Sequence, residues 1–232
     1  MRVLVEKAPT FAATVESQLS ADILSGRLAP GTKLRLHGLC ETYDVSMSPL
    51  REALSRLTGL GFVVQESQRG FRVAPTSIED LCDVTQTRIR LEIMALRMAI
   101  ERGGAEWEAT VLASHHRLSR HTRTSEQLID EKWETLHRAF HLALLEACGS
   151  RRQLSFCLAS LDHFDRYRRI AVKHGGRHPV LRSRHAELVA AVLEKDADKA
   201  SSLLVEHIED SGAAIAKLAG PTGFSDFPDS PM

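Results

Sequence analysis

The chain has 232 residues, 43% hydrophobic and 26% charged, with 30 Lys+Arg against 30 Asp+Glu. That length suits one large or two modest domains, and the apolar content excludes wholesale disorder. Residues 1–77 hold 9 Lys/Arg against 7 Asp/Glu, leaving 21 against 23 for the remainder, a balance that excludes a general polyanion binder.

In chain order, a first helix is expected from about Thr10 to Ser25, with Val15, Leu19, Ile23 and Leu24 as its apolar stripe. Gly26 ends it, and Pro30-Gly31 forms a turn. A second helix covers roughly Leu36 to Tyr43 and buries Leu36, Leu39 and Cys40. A third starts near Ser46 or Ser48, both good N-caps, with Pro49 tolerated in its first turn. Leu50, Ala53, Leu54 and Leu57 form its inward stripe, and Gly59 and Gly61 stop it. Phe62-Val63-Val64 and Phe71-Arg72-Val73 flank a polar loop and predict a two-stranded hairpin. The whole reads as a winged helix-turn-helix, whose second motif helix fits the major groove of B-DNA.

With that stripe inward, Met47, Ser48, Arg51 and Ser55 face outward. Two hydroxyls and a guanidinium at a helix N-terminus suit phosphate and base-edge contacts, and Arg69 at the loop tip suits the adjacent minor groove. The candidate DNA-binding set is Arg35, His37, Ser46, Met47, Ser48, Arg51 and Arg69.

These landmarks resemble the DNA-binding domain of the GntR superfamily, in the branch related to the fatty-acid regulator FadR. They are I-x-x-G-x-L-x-P-G-x-x-L at Ile23–Leu34, V-S-x-S-P-x-R-E-A-L at Val45–Leu54, L-x-x-L-G-F-V at Leu57–Val63 and G-F-R-V at Gly70–Val73. The resemblance implies a double-stranded DNA operator and a homodimer, since one recognition helix reads too few base pairs for useful specificity. Members commonly carry DNA-contacting arginines where this chain has Met47 and His37. A methionine offers no base-edge hydrogen bond, so an atypical operator is expected.

From Ser77 onward the pattern is helical. Ser77-x-x-Asp80 resembles a capping box for a long helix through about Glu101, with Leu81, Val84, Ile89 or Arg88, Leu91, Ala95, Met98 and Ala99 as its stripe. Gly103-Gly104 breaks it. Further helices are expected at about Glu106–Thr122, Ser125–Ala147, Arg151–Val172, Pro179–Glu194 and Ala197–Leu218. The expected fold is therefore mostly α: a winged helix-turn-helix over residues 1–76, an antiparallel all-helical bundle over 77–219, and a Pro/Gly/Ser-rich disordered tail over 220–232. Cys40, Cys82, Cys148 and Cys157 lack paired metal spacing and fall in helical patterns, which reads as reduced packing cysteines of a cytosolic protein. No apolar run nears the ~18 residues of a membrane span, and the N-terminus lacks a signal peptide's apolar core. A cytoplasmic protein without membrane partners is expected.

Histidines carry the chemistry of this half. His137 and His141 share one helical face, while His185 and His207 each sit in an amphipathic helix. They read either as four satisfied, partly buried side chains or as one metal site built from three helices. His115, His116, His121 and His163 have no matched partner and read as surface residues.

The region resembles the FCD effector domain found in one GntR subfamily, on R-x-R-L-E at Arg88–Glu92, F-H-x-A-L-x-E-A-x-G at Phe140–Gly149 and H-x-E-L-V-A-A-V at His185–Val192. Many members bind a divalent metal through an Asp, a His four residues on, and two later His. The resemblance assigns the last three to His141, His185 and His207, and puts His137 where the Asp would stand. Ser150 is a second departure, where Asn is frequent. An all-imidazole set favours zinc or nickel over magnesium or calcium, and the lost negative charge leaves the metal more attractive to an anion. Arg88 would face the same cavity and bind a small carboxylate effector, or pair with Glu92 at i,i+4, or both. The expected function is a transcriptional repressor whose operator binding responds to that carboxylate. The rival reading is a helical metal-dependent hydrolase with an accessory DNA-binding domain. It lacks H-E-x-x-H or a His-Asp dipeptide.

Overall fold

Thr10 opens the first helix by the rule that favours hydroxyls at an N-cap: its side chain accepts from the backbone N–H of Ala13 at 3.2 Å. In the computed structural model, residues 10–66, 70–121, 129–175, 184–219 and 224 are described, side chains of residues 174 and 175 apart. The chain divides into two compact units, one ending at Thr76 and the other spanning Ser77–Phe224.

The first unit runs α1 (Phe11–Leu24), β1 (Lys33–Leu34), α2 (Leu36–Thr42), α3 (Met47–Gly59), β2 (Val63–Glu66) and β3 (Gly70–Val73). Gly26, at φ +71°, takes the left-handed turn after α1, where a Cβ would be strained. Asp44, at φ +50°, makes the tight link between α2 and α3. Val15, Leu19, Ile23, Leu39, Leu50, Leu54 and Leu57 form the core on which the sheet closes through Phe62 and Phe71. Leu36 and Cys40 are only partly buried, and Leu24 packs at the margin. The expected two-stranded hairpin is in fact a three-stranded antiparallel sheet of order β1-β3-β2, with Leu34 opposite Phe71 and Val63 opposite Val73. Two residues of β1 are too short a run for alternation to register.

The second unit is all helical among the described residues. It contains α4 (Ile78–Arg102), α5 (Ala105–Arg120), α6 (Glu131–Leu145), a 3-10 turn at Glu146–Cys148, α7 (Arg151–Gly175), α8 (His185–Leu193) and α9 (Ala197–Ala219). Ser77 caps α4 by accepting from the N–H of Asp80, and Tyr167 locks that end by accepting from the N–H of Ser77 and donating to Asp80. α4 runs through the middle, against α6, α7 and α9. Gly212 lets α9 come close there, since a Cβ on it would stand 3.0 Å from Thr85 Oγ1. The 3-10 turn ends at Gly149, φ +75°, over Arg102, which donates to the Cys148 carbonyl at 2.6 Å.

Several expectations need correction. α6 begins at Glu131, since Asp130 is the cap and accepts from the Trp133 N–H, while the expected start at Ser125 lies outside the described residues. α8 begins at His185 rather than Pro179, the latter lying outside the described residues. In α4 the buried stripe is Leu81, Thr85, Arg88, Ile89, Glu92, Ala95, Leu96 and Ala99, with Val84, Leu91 and Met98 only half-buried. Cys82 is exposed rather than packed. The expected tail lies outside the described residues except for Phe224, which is buried against Tyr167 with ring centroids 4.9 Å apart. No helix among the described residues is long and apolar enough to cross a membrane.

Candidate metal centre and nucleic-acid interface

On the first unit, burial of Leu50, Ala53, Leu54 and Leu57 turns the rest of α3 outward. Ser46, Ser48, Arg51 and Ser55 are exposed, and Met47 is half-buried. Ser46 is the N-cap, yet its hydroxyl makes no capping bond and stays available to an outside partner. Arg56, one turn on, is committed to Glu16 and Glu52 at 3.2 and 2.7 Å. Arg51 has no ion-pair partner among the described residues. Arg35 and His37 are exposed at the start of α2, beside β1. Arg69 lies outside the described residues.

On the second unit, α6 buries Glu134, His137, Phe140, His141, Leu144 and Leu145 along one face, a spacing of three and four that carries both imidazoles inward. α8 supplies His185 at its first residue, and α9 supplies His207. All four histidines are buried, and one ligand nitrogen from each lies within 4.8 Å of the others. His137 Nε2 and His141 Nε2 are 3.2 Å apart, and His185 Nε2 and His207 Nε2 are 3.4 Å apart. Such a donor set fits a late divalent ion, because nitrogen ligands at about 2.0–2.1 Å from zinc leave similar separations between themselves.

Burial is the first cause of their electrostatics. It lowers the pKa of His137, His141 and His207 well below the ordinary value, with neighbouring imidazoles and guanidiniums adding to the effect. His185 is lowered to about 4, again by burial first, then by His115 and Arg88. At neutral pH all four are uncharged, the form that ligates a metal.

Two buried guanidiniums flank the rings. Arg88, 1% exposed, sends Nε to Glu92 Oε1 at 2.6 Å and Nη2 to His141 Nδ1 at 3.3 Å, and lies over the Phe164 ring at 4.6 Å. It therefore makes the expected Glu92 pair and also reaches the cluster. Glu92 Oε2 is buried without a hydrogen-bond partner, 3.8 Å from His141 Nδ1. On the other side Arg168 Nη1 is 3.1 Å from His137 Nδ1, while its Nη2 meets Glu134 and, at 2.9 Å, Asp165. Trp133 stacks on His137 with centroids 4.4 Å apart.

Arg168, Glu134 and Trp133 were not singled out from sequence. Arg168 sits in the arginine-rich run RYRR and reads as solvated there, yet Cys157, Leu161, Phe164, Arg168 and Ala171 form one helical stripe that would have placed it inside. His121 is not free but pairs with Asp130 at 2.7 Å, and His115 packs on Phe140 at 5.7 Å.

The family described as "Bacterial regulatory proteins, gntR family" matches residues 11–73, and the FCD domain family matches residues 83–210. The HTH-type transcriptional regulator BphR of Paraburkholderia xenovorans (strain LB400) is 40% identical over 87% of this chain and 83% of its own length. The HTH-type transcriptional repressor GlaR of Escherichia coli (strain K12) is 39% identical over 82% of this chain and 89% of its own. The crystal structure of a GntR family member from Pseudomonas syringae pv. tomato str. DC3000 is 26% identical, covers 89% of this chain and 85% of its own, and superposes with a TM-score of 0.53. The E. coli McbR/YncC structure, at 22% identity, shares the fold over 90% of this chain and 98% of its own with a TM-score of 0.73.

Proposed function

This chain belongs to the GntR family of bacterial DNA-binding transcription regulators and carries an FCD domain, and on that premise we propose that it is a homodimeric repressor controlled by a small carboxylate bound at a metal. As a family regulator it is not an enzyme, and the metal-dependent hydrolase has no support from its relatives.

One observation carries the proposal: four buried, neutral imidazoles converge from three helices beside a buried guanidinium. His141, His185 and His207, with His137 alongside, would hold zinc or nickel. When bound, the ion supplies a cationic anchor for a carboxylate oxygen. Arg88 presents N–H donors to the same space and would receive the second oxygen. Arg51, with Ser46 and Ser48 at the α3 N-terminus, would contact the operator, and Arg35, His37, Met47 and Arg69 complete the candidate surface. Repression is supported by the relative at 39% identity, which is named a repressor. Binding at the cluster touches α4, α6, α8 and α9 together, so an effector preferring one arrangement of these helices shifts operator affinity by the same factor that DNA shifts effector affinity.

Elemental analysis of protein purified without a His tag or chelator tests the first half. About one zinc or nickel per chain is expected, and no metal sinks the reading. Anisotropy of a labelled operator, titrated with a panel of small dicarboxylates and hydroxy acids, tests the second. At least one should release DNA from the metal-loaded protein and not from the His141→Ala/His185→Ala double variant.

A further inference from the structure

One short stretch of α7, Phe164–Arg168, is buried at every position and touches both the imidazole cluster and the first turn of α4. Successive residues of an α-helix are turned by about 100°, so neighbours in this stretch look at different helices. Arg168 looks at α6, with Nη1 3.1 Å from His137 Nδ1. Phe164, one turn earlier on the same face, lies 4.6 Å from the Arg88 guanidinium, and Arg88 in turn reaches His141. Tyr167 looks at the start of α4. Its hydroxyl accepts from the Ser77 N–H at 3.2 Å and donates to Asp80 Oδ2 at 2.5 Å.

That start is also the boundary between the units, since the first ends at Thr76 and the second begins at Ser77. Ser77 is the N-cap of α4, and its hydroxyl and carbonyl accept from the N–H groups of Asp80 and Leu81, both at 3.1 Å. The N–H groups of a first turn have no partners within the helix, so the turn frays unless other groups hold it. Here part of the hold comes from α7, because the Tyr167 hydroxyl uses both its donor and an acceptor lone pair on this one turn. Phe224, which lies beyond the residues matched by either family, backs the Tyr167 ring edge-on, with centroids 4.9 Å apart.

We propose that Tyr167 is the positioning residue that ties the state of the cluster to the end of α4 at which the DNA-reading unit is attached. Occupation of the cluster acts on His137 and His141, and so on the guanidiniums of Arg168 and Arg88 beside them. A shift of either displaces or turns α7. Tyr167, the residue next to Arg168, then changes its hold on Ser77 and Asp80. The element with two arrangements is the first turn of α4, held or frayed. This path presupposes the metal site proposed above and gives its occupation a route to the operator reader.

The test uses full-length protein with zinc alone as the probe. Calorimetry follows zinc uptake, circular dichroism checks the fold, and hydrogen exchange reads the amides of residues 80 and 81. In the unsubstituted chain zinc should change those exchange rates by roughly two- to tenfold, the range a single hydrogen bond allows. Tyr167→Phe keeps the ring against Phe224 and should bind zinc within about tenfold of the unsubstituted chain, yet zinc should no longer alter the two rates. Asp80→Ala removes the acceptor and should also lose the response, while Asp80→Asn restores an acceptor and should keep it. A merely structural Tyr167 would let Tyr167→Phe exchange faster by the same factor with and without zinc, and that outcome overturns the proposal. Zinc uptake by the unsubstituted chain with no change at residues 80 and 81 overturns it too, and leaves the metal site standing. No zinc uptake by the folded, unsubstituted chain would instead overturn the metal site, and this path with it.

Discussion

The two units use their polar residues in opposite directions. On α3 the residues proposed for DNA contact, exposed Ser48 and Arg51 and half-buried Met47, stand on the side left over when the leucine stripe turns inward. In the helical unit the assigned residues are the interior: Arg88, Glu92, His137, His141, His185 and His207 are each 8% exposed or less. An outward site can lose a side chain without disturbing its scaffold, whereas an inward site is also part of the core and cannot be altered without a consequence for folding. Function and stability should therefore separate cleanly in the first unit and stay entangled in the second.

The largest expected sign of that entanglement is acid sensitivity. The cluster histidines have folded-state pKa values below their unfolded value near 6.5, so the unfolded chain binds more protons as pH falls below about 6.5. Stability is full above that value and is lost as pH falls toward the folded pKa, which for His185 is about 4. Each histidine contributes roughly 1.4 kcal/mol per pH unit across its window. Urea unfolding of the metal-free protein should show a midpoint falling steeply between pH 7 and pH 5. A flat profile would mean that the imidazoles are hydrated, and the contrast between the two units would collapse.

Next comes the Arg88–Glu92 pair. Arg88→Met should strand the Glu92 carboxylate and destabilise the helical unit by about 3–5 kcal/mol, in addition to weakening carboxylate binding. Arg88→Met together with Glu92→Leu should recover most of that stability and none of the binding. Chemical denaturation separates the two effects, and a double variant that regains carboxylate response would restrict Arg88 to a structural role.

The same contrast decides what could be read in advance. The winged domain was legible because its candidate DNA-contacting residues are what an apolar stripe excludes: once Leu50, Leu54 and Leu57 face inward, Ser48 and Arg51 have one place to go. β1 escaped notice because its two residues form a strand only by pairing with Phe71 and Arg72, far along the chain. In the bundle the i,i+4 spacing of His137 and His141 was visible, but their surroundings were not. Arg168 is brought to His137 from 31 residues away, and the charge of an arginine argues for solvent unless its stripe is followed through Phe164 and Ala171. The charged neighbours of the rings come from such distant positions, so they become readable only when the helices have been assembled.

The smallest effect in free energy is the sharpest test of separation. Arg51 is exposed, lacks an ion-pair partner among the described residues, and lies one turn into α3, beyond the uncapped Ser46 hydroxyl. Arg51→Ala should leave the urea midpoint within about 0.5 kcal/mol of the unsubstituted chain, as surface substitutions do. Operator affinity should nevertheless fall by about 1–3 kcal/mol per half-site if the guanidinium reads a base edge. If it contacts phosphate instead, the loss should be nearly independent of sequence, and the salt dependence should flatten by about one counterion per half-site. Anisotropy titrations on operator and scrambled DNA at several salt concentrations separate these cases. Unchanged binding at every salt would remove Arg51 from the interface, and with it the argument that a side chain turned away from the leucine stripe and left unpaired was left so for DNA.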